Sequence, residues 1–197
     1  MALSTYAELK AAIATQLNRT DLTTPIIDFV TLVEADIRRD VRIQEMESLA
    51  TGTLTGETLA FPTRFVLARR LAIAGDVYYY ETPEVYQVES DAGNTDTNMY
   101  TIIGTNFYIL GGSNGDAYSL LYLASLAAFS GASDTNTLLT NAPDVYLYGA
   151  CKHGAIYLKD DADAAKYAGA YQAAVTRVNG RDAQKKYSGS ALAVRAV

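Results

Sequence analysis

The chain has one cysteine, one histidine, no tryptophan and four prolines in 197 residues. A lone Cys151 excludes an intrachain disulfide. With His153 as the single histidine, no Cys/His set can hold zinc. Any Ser-His-Asp triad has to use His153, and on a helix a residue two positions from Cys151 points elsewhere, so the pair cannot activate each other. Both read as packed or solvated helix residues, and neither a metal nor a cofactor is expected. Long apolar runs are also lacking. The longest, Leu120 to Phe129, is too short to span a bilayer and contains Ser125, so no membrane partner is expected. Met1-Ala2-Leu3-Ser4 shows no basic region leading into an apolar core, which predicts synthesis and use in a reducing cytosol. Basic excess is missing as well: the formal net charge is −6 and the sequence pI about 4.7. A protein that grips nucleic acid needs a basic face to displace counterions. An acidic one fits a surface that DNA slides past, because carboxylates repel phosphates.

What is present is a folded protein's composition, 49% apolar and 19% charged, with helical periodicity at both ends. Thr5 and Glu8 have the spacing of a capping box, and Tyr6, Leu9, Ile13 and Leu17 follow at helical intervals. Thr24-Pro25 reads as a hydroxyl cap with proline at the first helical position. Ile26, Phe29, Val30, Val33, Ile37 and Val41 then form one apolar stripe, fading near Leu49. After residue 133 the helical pattern returns. Asn141, Pro143 and Asp144 give start signals, and Leu147, Cys151, Ala155 and Leu158 are placed on one face. Gly149 and Gly154 each cost about 1 kcal/mol of helix propensity, which predicts close approach of another helix. Asp160 or Asp161 caps a last helix whose buried stripe is Ala164, Ala168, Tyr171, Val175 and Val178.

Between these ends the period changes. Thr53 to Leu59 reads as a short hairpin, and Phe61 to Phe65 as a turn into a short segment holding Leu67 and Leu71. Val77-Tyr78-Tyr79-Tyr80 has strand propensity, and Thr82-Pro83-Glu84 starts a brief helix. Tyr100–Ile103 and Asn106–Leu110 form a hairpin about Gly104-Thr105, and Ser119–Leu123 is a final strand. Gly111, Gly112 and Gly115 are turn residues rather than a phosphate loop, since no Lys-Ser/Thr and no helix follow them. The expected fold class is α+β: a discontinuous antiparallel helical bundle (residues 1–49 and 134–187), a small antiparallel β insertion (50–133) and an extended C-terminal arm (188–197).

Several pieces in order carry a family resemblance. They are Glu34-Ala35-Asp36-Ile37-Arg38-Arg39-Asp40-Val41-Arg42; Phe61-Pro62-Thr63-Arg64-Phe65; Tyr80-Glu81-Thr82-Pro83-Glu84; Tyr100 to Ile109; Pro143 to Ala150; Tyr157-Leu158-Lys159-Asp160-Asp161; and Tyr187-Ser188-Gly189. Together they resemble the head-to-tail adaptor (connector) proteins of short-tailed bacteriophages. The chain departs from that pattern at Arg64, where an acid is expected, and in the run Ala124 to Ser133.

The resemblance implies a non-enzymatic virion protein at the capsid–tail junction, assembled in the host cytoplasm. It implies a homo-oligomeric ring, usually dodecameric, docked under the portal protein. Such a ring extends the channel through which double-stranded DNA passes without sequence-specific binding, and it supports tail nozzle or fibre proteins. On this reading Gly189, Leu192, Val194, Arg195 and Val197 belong to a portal-binding arm. Arg38, Arg39, Arg42, Tyr146 and Tyr148 are ring or portal interface candidates, and Tyr78, Tyr80 and Tyr108 are candidates for contact with tail components. Two other classes stand beside it. One is a carbohydrate- or receptor-binding module using the tyrosine-rich insertion. The other is a hydrolase built on Asp160, Asp161 and Asp163, a cluster better explained as caps and dipole partners at a helix start.

Overall fold

The computed structural model describes residues 3–187, with side chains as far as 182. The chain divides into two compact units: Met46–Ser125, and Met1–Glu45 with Leu126–Val197. Among the described residues it is mixed α/β, with six α-helices and seven strands in one curled sheet. This corrects the expected helical bundle with a small antiparallel β insertion. The expected C-terminal arm lies outside the described residues.

In the helical unit, α1 (Tyr6–Gln16) starts at the anticipated capping box: the Glu8 N–H donates to the Thr5 hydroxyl and the Thr5 N–H to the Glu8 carboxylate. Helix α2 (Pro25–Asp40) buries Ile26, Phe29, Val30, Val33 and Ile37 on the anticipated stripe. Thr24, however, is helical itself and makes no side-chain cap bond. Nor does the helix reach Leu49; it stops at Asp40, and Gln44–Met46 is a 3-10 turn.

The second helical stretch begins earlier than expected, as the short α4 (Thr137–Asn141), capped by Asn136 accepting from the Leu139 N–H. Helix α5 (Pro143–Tyr157) buries Val145, Tyr146, Gly149, Ala150, Cys151, Gly154 and Ala155. Leu147 and Leu158 are only half-buried, so the face is broader than, and turned from, the one expected. Helix α6 (Asp161–Tyr187) is capped by Asp160, whose carboxylate accepts from the Asp163 N–H, and packs chiefly on α5.

The glycines explain how α5 comes so close to its neighbours. A Cβ on Gly149 would lie 2.1 Å from Val33 Cγ2, and one on Gly154 would lie 2.6 Å from Leu17 Cδ1. Both positions admit no side chain without displacement of α2 or of the residues just after α1.

The sheet unit holds β1 (Glu47–Thr53), β2 (Thr58–Ala60), β3 (Phe65–Ile73), β4 (Asp76–Tyr80), β5 (Met99–Ile103), β6 (Asn106–Leu110) and β7 (Ala117–Ala124), with α3 (Pro83–Asp91) between β4 and β5. The strand order is β1-β7-β3-β4-β5-β6-β2. All neighbours are antiparallel except β4 and β5, which run parallel and are joined by the α3 crossover.

Thr53 to Leu59 is therefore no hairpin: β1 pairs with β7, and β2 with β6. The segment around Leu67 and Leu71 is a nine-residue strand. Register shifts at Phe65/Leu67 and Ala68/Arg70 interrupt the two-residue alternation by which a strand is read from sequence. The hairpin of β5 and β6 forms as anticipated.

One face of the sheet closes over Phe107, whose ring meets those of Phe61, Phe65 and Tyr100 at centroid distances of 5.1–5.7 Å. On the opposite face, the fully buried Thr101 hydroxyl has no hydrogen-bond partner among the described residues. An orphaned hydroxyl carries its desolvation cost uncompensated. Thr101→Val, which keeps the β-branched shape, is expected to raise stability by up to about 1 kcal/mol; a denaturant midpoint below the parent's contradicts this.

Candidate functional site

The helical unit brings four ionisable side chains, Asp36, Arg39, Lys152 and His153, together at one point. Asp36 sits at the edge of the α2 stripe and is buried. From α5, Lys152 Nζ lies 2.6 Å from Asp36 Oδ2, and His153 Nε2 lies 2.8 Å from the same oxygen. The Arg39 guanidinium, one turn along α2, pairs with Oδ1. Burial alone raises the carboxyl's pKa. The hydrogen bonds and charges of Lys152 and His153 more than offset this and hold it below the usual carboxylate range. Lys152 also lies over the Tyr171 ring at 4.8 Å, and the Tyr171 hydroxyl donates to Asp40. Burial and the neighbouring Asp40 push that phenol upward.

Chemically this arrangement is a clamp. The carboxylate is fully engaged by three donors, and it ties α2 to α5. Beside it, Cys151 is buried, and burial pushes its thiol up to about 12, which leaves it protonated and unreactive near neutral pH. Two acids at the start of α6 are accounted for locally: Asp160 caps the helix, and Asp163 pairs with Lys166 at 3.4 Å. Among the described residues, no group of three His, Cys, Asp or Glu side chains is placed to hold a metal.

The interface candidates scatter. Arg38 is exposed. Arg39 has its head largely in solvent while serving Asp36. Arg42 folds back onto the α2 terminus, donating to the carbonyls of Arg38 and Val41 at 2.8 and 2.7 Å, so it closes the helix electrostatically. Tyr146 is 1% exposed, hydrogen-bonded to Asn136 and packed on Phe129. It is a core residue with no surface to offer a neighbour. Tyr148 is half-buried.

Of the tail-contact candidates, Tyr78 is buried in the sheet core, Tyr108 is half-buried and Tyr80 is exposed. The arm candidates Gly189, Leu192, Val194, Arg195 and Val197 lie outside the described residues. Sequence reasoning missed Asp36, Lys152 and His153 as a unit. The available signal was that Lys152 and His153 interrupt an otherwise small and apolar helix.

The surface also carries exposed apolar side chains. In the helical unit Ile27, Leu32, Ile156 and Tyr157 are exposed; in the sheet unit Tyr79, Tyr80, Val85, Val88 and Ile103 are. Surfaces of this kind suit protein–protein contact rather than small-molecule chemistry.

A family model described as SU10 adaptor protein covers residues 4–195. No curated protein matches the chain.

Proposed function

The chain belongs to the SU10 adaptor protein family, and from that premise we propose that it forms a ring beneath the portal, prolongs the DNA channel and carries the tail components. The observation that carries this reading is the span of the match, 4–195, which takes in both structural units. The family is one of bacteriophage structural adaptors, so the contacts that matter are with other virion proteins.

In this proposal the exposed apolar side chains of the helical unit, Ile27, Leu32, Ile156 and Tyr157, meet neighbouring copies in the ring. Arg38 and the outer head of Arg39 contribute at the ring or portal interface. Residues 188–197 reach the portal. The Asp36 clamp keeps α2 and α5 in register so that each copy presents the same surface, which a closed ring requires.

The test is the mass of the purified protein with and without portal particles, by sedimentation and native mass spectrometry. The expected result is a ring stoichiometry on the portal, and loss of docking with an unchanged fold after deletion of residues 189–197. A chain that remains a free monomer beside intact portals contradicts the reading.

A further inference from the structure

The charge of this protein is not spread over it. Residues 46–125 hold nine Asp and Glu against three Arg, while the rest of the chain holds thirteen of each sign. The whole formal charge of −6 therefore belongs to the sheet unit. No Lys or Arg occurs between Leu71 and Ser125. No ion pair joins two described residues of that unit, whereas the helical unit has several.

The acids concentrate where apolar side chains are also left in solvent. Helix α3 buries only Tyr86. Its opposite side carries Val85 and Val88, 43% and 66% exposed, interleaved with the exposed Glu84 and Asp91. The Tyr86 hydroxyl donates to the Ile109 carbonyl at 3.5 Å, and α3 packs on β5. Thr101 is fully buried on the face opposite Tyr100 and Phe107, which places α3, packed on β5, across that face. Two-residue alternation places Tyr79 and Ile103, 68% and 45% exposed, on that same face.

We propose that this face, the outer side of α3 with Tyr79 and Ile103 beside it, docks a basic, amphipathic segment of a partner protein. The apolar side chains supply contact area, and the unneutralised carboxylates supply sign selectivity. Like charge disfavours a second copy's sheet unit, and phosphates of DNA or of an acidic membrane are repelled. A purely solvated or DNA-facing acidic wall has no use for four exposed apolar side chains at one place. The inference deepens the adaptor reading, on which it rests only for the partner's being a virion protein.

The probe is a synthetic amphipathic Lys/Leu helical peptide, titrated into the isotope-labelled full chain and followed by NMR. A Glu/Leu peptide of the same length and a DNA duplex serve as comparisons. Shifts should gather at residues 79–91 and 99–103 with the Lys/Leu peptide alone. The double variant Val85→Ser/Val88→Ser should keep its thermal midpoint and weaken the peptide about tenfold; Glu84→Lys/Asp91→Lys should weaken it as much. Equal binding of the Glu/Leu peptide, shifts spread over the surface, unchanged affinity in the variants, the same shifts with DNA, or self-association that the serine variants abolish would each overturn the proposal. In assembled particles the serine variants should still form rings on the portal but fail to join tail components. Absence of rings in the parent protein sinks the adaptor reading and leaves the peptide result standing.

Discussion

Replacing Asp36 by asparagine is expected to cost about 3 kcal/mol of folding stability. The side chain is 10% exposed and faces Lys152 and His153, 19% and 17% exposed, at 2.6 and 2.8 Å. Removing its charge leaves the lysine's charge half-desolvated without a counterion, and an amide cannot accept from all three donors as a carboxylate does. The figure is at the low end for a broken buried pair because the Lys152 and Arg39 heads keep some water. Urea unfolding near pH 7 measures it. Asp36→Asn/Lys152→Met should recover part of the loss, since the unpaired ammonium goes with it. A cost below about 0.5 kcal/mol would make the cluster an ordinary solvated pair.

The pH dependence of that cost has a definite sign. The Asp36 carboxyl has a lowered folded pKa, so its contribution is fully present above the unfolded value of about 3.9 and is lost as pH falls through the folded one. The stability difference between parent and Asp36→Asn should therefore shrink as pH falls below about 4. A difference that instead grows as pH falls below about 4 contradicts the lowered pKa.

Gly149→Ala is the second large effect. Alanine gains about 1 kcal/mol of helix propensity, but its Cβ would stand 2.1 Å from Val33 Cγ2 and 3.1 Å from the Tyr171 ring. Val33 is β-branched, fully buried and held in the α2 stripe, so relief requires α2 and α5 to separate. Overpacking of this kind costs about 1–3 kcal/mol, and separation of the helices also loosens the Asp36 clamp, so the net loss is expected near 2 kcal/mol. Gly169, on α6, has nothing within 4 Å of where its Cβ would be, and Gly169→Ala should gain about 1 kcal/mol. Opposite shifts of the two denaturant midpoints are the expected result; the same sign at both sites would mean that propensity alone governs α5.

The physics of what was legible differs between the two kinds of element. The α2 stripe, the Thr5–Glu8 box, a cap at Asp160 or Asp161 and the need for tight packing at Gly149 and Gly154 were all readable. Each depends on residues within a turn or two, or on the absence of a side chain. The arginines of α2 were readable as charges but not as contacts: Arg42 turned inward onto its own helix end, while Arg39 reached Asp36. Tyr146 and Tyr78 looked like amphipathic surface groups, and both are buried. A tyrosine's sequence position does not say which side of its element meets the core.

The α2 stripe, the Thr5–Glu8 capping box, the β5–β6 hairpin and, through the ordered motifs along its length, membership of the adaptor family were written in the residues alone. That β1 joins β7 and β2 joins β6, that β4 and β5 run parallel, and that Asp36 gathers Lys152 and His153 from α5 came with the folded chain. The reason is one of range. Caps and periodicity are local energies written in neighbouring residues. Strand pairing uses backbone groups that every residue carries, and it is selected by how distant segments bury their faces together. A seven-stranded sheet could thus be mistaken for a minor insertion, because its register lies between residues as far apart as Glu47 and Leu123.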